Sequence, residues 1–211
     1  MNWQKLRQRA HVPYSGNEQA AIVIGKGGHS YPGVRVENIS FPLCIDAIQA
    51  ALFHCVSEGD DPELLLLPTH QPKNPLLTFW LREYRDDITD LELSGTVLDE
   101  PENIREAHQK LQHNSRVIHS EFPVSALLSS PEGIISGVNV EVSSWSLGLC
   151  AERVAMVKAL SLGITAFSGM SLHSRHGDYS TPCGACRQVM SELLPYHPLH
   201  LLHNDGTRYE I

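Results

Sequence analysis

The sequence predicts an α/β protein of two tandem α/β/α sandwich domains, residues 1–98 and 99–211. Three observations carry this expectation. The chain repeats itself, and each repeat alternates short apolar strands with helical periodicities. Between them the acidic segment Leu98-Asp99-Glu100-Pro101-Glu102-Asn103 reads as a turn.

The repeat is held in register over a long stretch. Gly33-Val34-Arg35-Val36-Glu37 matches Gly137-Val138-Asn139-Val140-Glu141 at an offset of 104 (137 − 33). The same offset pairs Ser40 with Ser144, Leu43 with Leu147, Ala47 with Ala151, Ala51 with Ala155 and Gly59 with Gly163, and Ser15 matches Ser120 one residue out. Two copies are too few for a solenoid and imply an internal pseudo-dimer. Each copy is expected to open with a helix (about 2–10, about 103–114), followed by a strand (19–24, 122–128) and a second strand ending near Glu37 or Glu141. A longer helix follows (about 44–58, about 149–162), where Val154, Val157, Ala159 and Leu160 recur at helical spacing. The apolar runs at 64–67 and 164–167 read as buried strands. A last helix begins after Pro75 or Pro182, where proline suits a first turn.

Composition narrows the function. The 211 residues carry 16 Lys and Arg against 24 Asp and Glu, a formal net charge of −8, so no global field attracts nucleic acid and a small neutral substrate is favoured. No apolar run approaches the roughly 20 residues that cross a bilayer. The start, Met1-Asn2-Trp3-Gln4-Lys5-Leu6-Arg7, is too polar for a secretory signal, so a cytoplasmic protein without membrane partners is expected. Two of the five cysteines, Cys44 and Cys55, lie in apolar surroundings and read as small buried hydrophobes.

The other three form a pattern. Cys150-Ala151-Glu152-Arg153 is followed by Thr181-Pro182-Cys183-Gly184-Ala185-Cys186. Three thiolates can hold Zn2+ and leave its fourth position open, and Glu152, two residues from the first thiol, is placed for proton transfer. Cys150 and Cys183 are expected at helix N-termini, where backbone N–H groups favour thiolates, with Cys186 on the same helix face as Cys183. Arg153, which closes the first motif, and Arg187, directly after Cys186, would offset the negative charge of three sulfurs. A fourth ligand from the loop holding His173 and His176 would instead close the site into a structural staple; the remaining histidines read as surface residues. In the register of the repeat, Asp46 replaces Cys150 and Ile48 replaces Glu152; further on the offset drifts to 107 (182 − 75), implying a short insertion in the second copy, and Leu76 and Phe79 stand where Cys183 and Cys186 would be. The first copy is therefore expected to be catalytically dead.

With these residues assembled, the chain resembles the cytidine deaminase family over most of both halves. The resemblance rests on His119-Ser120-Glu121-Phe122-Pro123-Val124-Ser125-Ala126, on Gly137-Val138-Asn139-Val140-Glu141-Val142-Ser143-Ser144-Trp145, and on the two cysteine motifs. It implies mixed five-stranded sheets and zinc-dependent deamination of free cytidine and deoxycytidine to uridine and deoxyuridine, with ammonia released. By position it implies that Phe122 contacts the base, that Asn139 and Glu141 hydrogen-bond the ribose, and that the Ala151 amide and Thr181 carbonyl hold the pyrimidine. It further implies a homodimer that mimics the four deaminase domains of a tetramer, with Ile39 and Phe41 of the first copy walling the site. His119 and Ser125 depart from the family's Tyr and Gly and are expected to alter the pocket rim. Rival readings are a deaminase of a modified cytosine nucleoside or cytosine-containing antibiotic, a non-catalytic nucleoside-binding protein, and a polynucleotide editor, which the acidic charge opposes.

Overall fold

The computed structural model describes residues 1–72, 82–85, 88–177 and 180–210. They form two compact units, Met1–Gly95 with Val157–Gly163, and Thr96–Met156 with Ile164–Ile211.

The first unit contains α1 (Trp3–Arg7), β1 (Ala20–Gly25), β2 (Ser30–Val34), α2 (Ala47–Ser57), β3 (Pro62–Leu67) and β4 (Arg82–Arg85). Its sheet has the order β2-β1-β3-β4, with β3 and β4 parallel and the other pairs antiparallel. Pro32 lacks a backbone donor and is tolerated because β2 is an edge strand. The second unit contains β5 (Val97–Leu98), α3 (Ile104–Leu111), β6 (Val124–Ser130), β7 (Gly133–Val138), α4 (Ala151–Leu162), β8 (Gly169–Ser174), α5 (Gly184–Leu193), β9 (Leu199–Leu202) and β10 (Arg208–Glu210). The end of α4, from Val157, clusters with the first unit.

The second sheet runs β10-β9-β8-β6-β7-β5, and only β8 and β9 are parallel. Its four central strands, β7-β6-β8-β9, reproduce the order and directions of β2-β1-β3-β4, so the sequence repeat is a structural repeat. The five-stranded expectation is corrected to four and six strands among the described residues. Short edge strands account for the difference: Val97–Leu98 pairs along β7, and Arg208–Glu210 folds back on β9.

Helix starts follow local chemistry. Asn2, Asp46 and Asn103 each accept a hydrogen bond from a backbone N–H three residues on, those of Lys5, Gln49 and Glu106, as N-cap side chains do. The repeated glycine of the Gly-x-x-Val-Glu element has a packing reason in both copies. A Cβ on Gly33 would lie 2.1 Å from Ala51 N, and one on Gly137 would lie 2.4 Å from Ala151 O. Strand and helix backbones touch there, and only glycine leaves the room.

One expected strand is misplaced. The apolar run at 164–167 is irregular, with only Ile164 buried, and the strand starts at Gly169. Gly163, at φ +90°, ends α4 in the left-handed region, and the chain needs the following residues to reach the sheet beside Pro198. The helix expected after Pro75, with Leu76 and Phe79, lies outside the described residues. No helix among the described residues is long and apolar enough to cross a membrane.

Candidate active site

The three cysteines of the motif converge. Cys150 immediately precedes α4, and its carbonyl accepts the first helical bond, from Val154 N at 3.1 Å. Cys183 caps α5, and Cys186 follows one turn later. Their ligand atoms all lie within 4.8 Å of one another, with Sγ···Sγ distances of 3.7 Å for Cys150 and Cys183 and 3.5 Å for Cys183 and Cys186. A tetrahedral zinc with bonds of ~2.3 Å needs sulfurs ~3.8 Å apart, so the donor set fits this ion. Cys186 is buried, Cys150 half-buried and Cys183 exposed, which leaves the cluster approachable from one side.

Hydrogen bonding sets the protonation of the cluster. The hydrogen bonds that Cys183 shares with Cys150 and Cys186 hold it down at about 2, while the bond to Cys183 pushes Cys150 up to about 12, and Cys186 is also raised. A divalent cation held there would favour the thiolate form of all three.

Glu152 begins the first turn of α4 beside these sulfurs and is 4 % exposed. Burial is the main cause that raises its carboxyl above the usual carboxylate value, which suits a group that must both take and give a proton. Arg153 is buried too. Burial lowers its pKa, and the three cysteines and Glu152 counter that by favouring its charged form.

The segment before β6 is built by the Asn-x-Glu element. Asn139 Oδ1 accepts from Val124 N at 2.8 Å and its Nδ2 donates to Phe122 O at 2.9 Å. Glu141 accepts from the N–H groups of His119 and Ser120 at 2.8 and 3.2 Å. Burial alone would raise the Glu141 carboxyl, but the Ser120 hydroxyl and these N–H groups together hold it below its ordinary value. They clamp a turn in which Glu121 sits at φ +53°, a conformation costly for a residue with a Cβ. The first copy repeats the turn: Glu37 accepts from Tyr14 N and Ser15 N, and the residue matching Glu121 is Gly16, at φ +65°. Phe122 leaves this turn half-buried, its ring 6.4 Å from that of His176. Ala151 is buried at the start of α4, and Thr181 is exposed two residues before Cys183.

Other positions differ from expectation. His173 takes no part in the cysteine cluster: it is buried, accepts from Gln112 Nε2 at 2.8 Å and lies near Arg105. Ser125 is not at a pocket rim but fully buried, its hydroxyl bonded to His108 on α3. Four histidines expected at the surface or in the loop, His54, His108, His173 and His203, are at most 3 % exposed. Along β6, Ser125 faces α3 while Ala126 is in register with Gly137, on the side of α4; alternating polarity in strands was the only signal for this polar layer. Cys55 is buried as expected, whereas Cys44 is half-buried and exchanges weak bonds with the Asn38 backbone. In the first copy, Asp46 is spent on capping α2, and Ile48 is core.

The zinc-binding region that describes cytidine and deoxycytidylate deaminases matches residues 99–196, and a second description of that region matches residues 4–65. A cytidine deaminase of Halalkalibacterium halodurans is 41% identical over 93 residues, which cover 44% of this chain and 70% of that protein. The chain belongs to the cytidine deaminase family. A probable cytidine deaminase of Dictyostelium discoideum is 45% identical over 92 residues, 43% of this chain and 63% of that relative's length. Among solved structures, the cytidine deaminase of Burkholderia pseudomallei is 33% identical, with 50% of this chain and 87% of that one covered at a TM-score of 0.48. Two tandem deaminase-like domains and a zinc site of three cysteines are thus features of this family member.

Proposed function

We propose that this chain hydrolytically deaminates free cytidine and deoxycytidine to uridine and deoxyuridine with release of ammonia. In this reading the catalytic domain is 99–211, and 1–98 is a non-catalytic partner. The observation that carries it is the pairing of a three-thiol cluster, open on one side, with a buried carboxyl of raised pKa at the start of the same helix. Cys150, Cys183 and Cys186 would hold zinc, which would supply a Lewis acid able to make water nucleophilic at neutral pH. Glu152 would take one proton from the attacking water and deliver it to the ring nitrogen, then take the proton left on the added hydroxyl and pass it to the amine, which departs as ammonia. Phe122 contacts the base, and Asn139 and Glu141 hydrogen-bond the ribose while bracing the turn that presents Phe122. The Ala151 amide and Thr181 carbonyl hold the pyrimidine carbonyl and the amine. The site sits in a cytoplasmic homodimer, and the net charge of −8 supports a free nucleoside over a polynucleotide.

The test is metal content per chain measured beside ultraviolet-monitored turnover of cytidine and a panel of cytosine derivatives. One zinc with turnover is expected, and Glu152→Gln should keep the zinc and lose turnover by ~100-fold or more. Two zincs per chain, or a Glu152→Gln variant of full activity, would overturn the assignment.

A further inference from the structure

Helix α4 carries the catalytic motif at its start, yet its last residues, Val157–Gly163, belong to the first unit. Within that unit the ammonium of Lys158 is completely enclosed and bonded to the carboxylate of Glu58, which follows α2 directly. His54 Nε2 stands 4.0 Å from the same Glu58 oxygen, and His54 Nδ1 is bonded to Pro32 O at 2.9 Å. One turn beyond Lys158, the Ser161 hydroxyl accepts from Val34 N at 3.1 Å, and Arg9 donates to Ser161 O at 2.8 Å. None of these groups has a task in the deamination chemistry.

The register of the repeat gives the cluster its meaning. At the offset of 104, His54 matches Lys158 (158 − 54) and Glu58 matches Leu162 (162 − 58). The four residues are two positions of one repeated helix. Lys158 is bonded to Glu58, and Leu162 Cδ2 and His54 Nε2 both border Gly95, 2.6 Å and 2.9 Å from where a Cβ on it would lie. A helix carrying both a lysine and a glutamate at these positions satisfies itself when it pairs with its own copy. Here each copy keeps one charge. Two second-copy helices packed in this way would bury Lys158 against Leu162 twice, and a buried ammonium without a counter-charge is strongly destabilising. Two first-copy helices would set Glu58 against a histidine that burial keeps neutral. Only the unlike pairing joins opposite charges.

We propose that Lys158 and Glu58 are a partner-selecting pair that commits the helix bearing Cys150 and Glu152 to the helix of the non-catalytic copy and excludes another helix of its own kind. The first copy, stripped of ligands, is then retained as the required seat of α4. Calling one copy catalytic rests on the function proposed above. The pairing itself is read by stability and mass, so failure of one reading is distinguishable from failure of the other.

The experiment uses the full chain. Glu58→Leu removes the carboxylate bonded to the enclosed Lys158 and should lower the folded-to-unfolded ratio in urea titration by ~100-fold or more. Glu58→Leu with Lys158→Met removes both charges of the pair and should recover most of that loss. It should also erase selectivity, so that sedimentation shows mass rising with concentration through exchanged partners. The charge-reversed chain, Glu58→Lys with Lys158→Glu, should keep the wild-type mass across the same range. A Glu58→Leu chain as stable as wild type, or an apolar double variant whose mass never departs from wild type, would overturn the proposal. If Glu58→Leu does not fold, the apolar and charge-reversed chains still decide it.

Discussion

His108 offers the sharpest quantitative check on the second unit. Its ring is fully enclosed between α3 and the sheet, with Nδ1 2.9 Å from Ser125 Oγ and Nε2 2.9 Å from Ser171 Oγ, and it stacks on His173 at 5.8 Å. Burial first, then the charges of His173 and Arg105, lower its pKa to about 3. Above pH ~6.5 the ring is neutral in both folded and unfolded chains and contributes nothing to pH dependence. Below that, the unfolded chain binds a proton that the folded one refuses until pH about 3, so stability is lost as the pH falls through this window. At pH 5 the unfolded ring is ~1.5 units below its own pKa, and at 1.36 kcal/mol per unit the loss is ~2 kcal/mol. The perturbation is His108→Gln, which keeps polar contacts for the two serines and removes the titration. Urea denaturation at pH 7.5 and pH 5 should show wild type losing ~2 kcal/mol more than the variant over this interval, whatever the variant's own stability. His54, held at about 4 by burial and then by the charge of Lys158, adds a similar loss to both proteins and cancels in the comparison. Equal losses in the two proteins would refute the reasoning, as would a His108 ring titrating at its unperturbed pKa in the folded state.

Two further outcomes test how α4 is set. Arg153→Ala removes the cation that the three cysteines and Glu152 attract, so the pH at which turnover appears should move upward; an unchanged pH–rate profile would count against that role. Gly137→Ala drives a Cβ to 2.4 Å from Ala151 O and 2.5 Å from Ala155 N, and backbone on both sides cannot yield. The expected cost is ~1–3 kcal/mol, with weaker zinc retention in chelator competition because the start of α4 must shift.

The site was legible because its spacing is local. Cys183 and Cys186 share a helix face whatever the rest of the chain does, and the repeat exposed what the first copy lacks by aligning Asp46 with Cys150 and Ile48 with Glu152. The capping roles of Asn103 and Asp46 are local for the same reason. Other features were hidden because they depend on which face a strand presents. Ser125 looked like a change at the pocket rim, yet strand alternation turns it away from Ala126 and toward α3. The run at 164–167 is as apolar as a strand, but the turn at Gly163 leaves it outside the sheet.

The amino-acid order alone determined the duplication, the three cysteines that cluster, the carboxyl two residues after the first of them and the replacement of Cys150 and Glu152 by Asp46 and Ile48 in the first copy, since each is a matter of residue type at fixed separation along the chain. The tertiary structure decided which groups lose their water. It enclosed His108 and Lys158, gave Lys158 the carboxylate of Glu58, and joined the end of α4 to residues 1–95. Burial and charge pairing arise from contacts between residues distant in sequence, and no local pattern announces them.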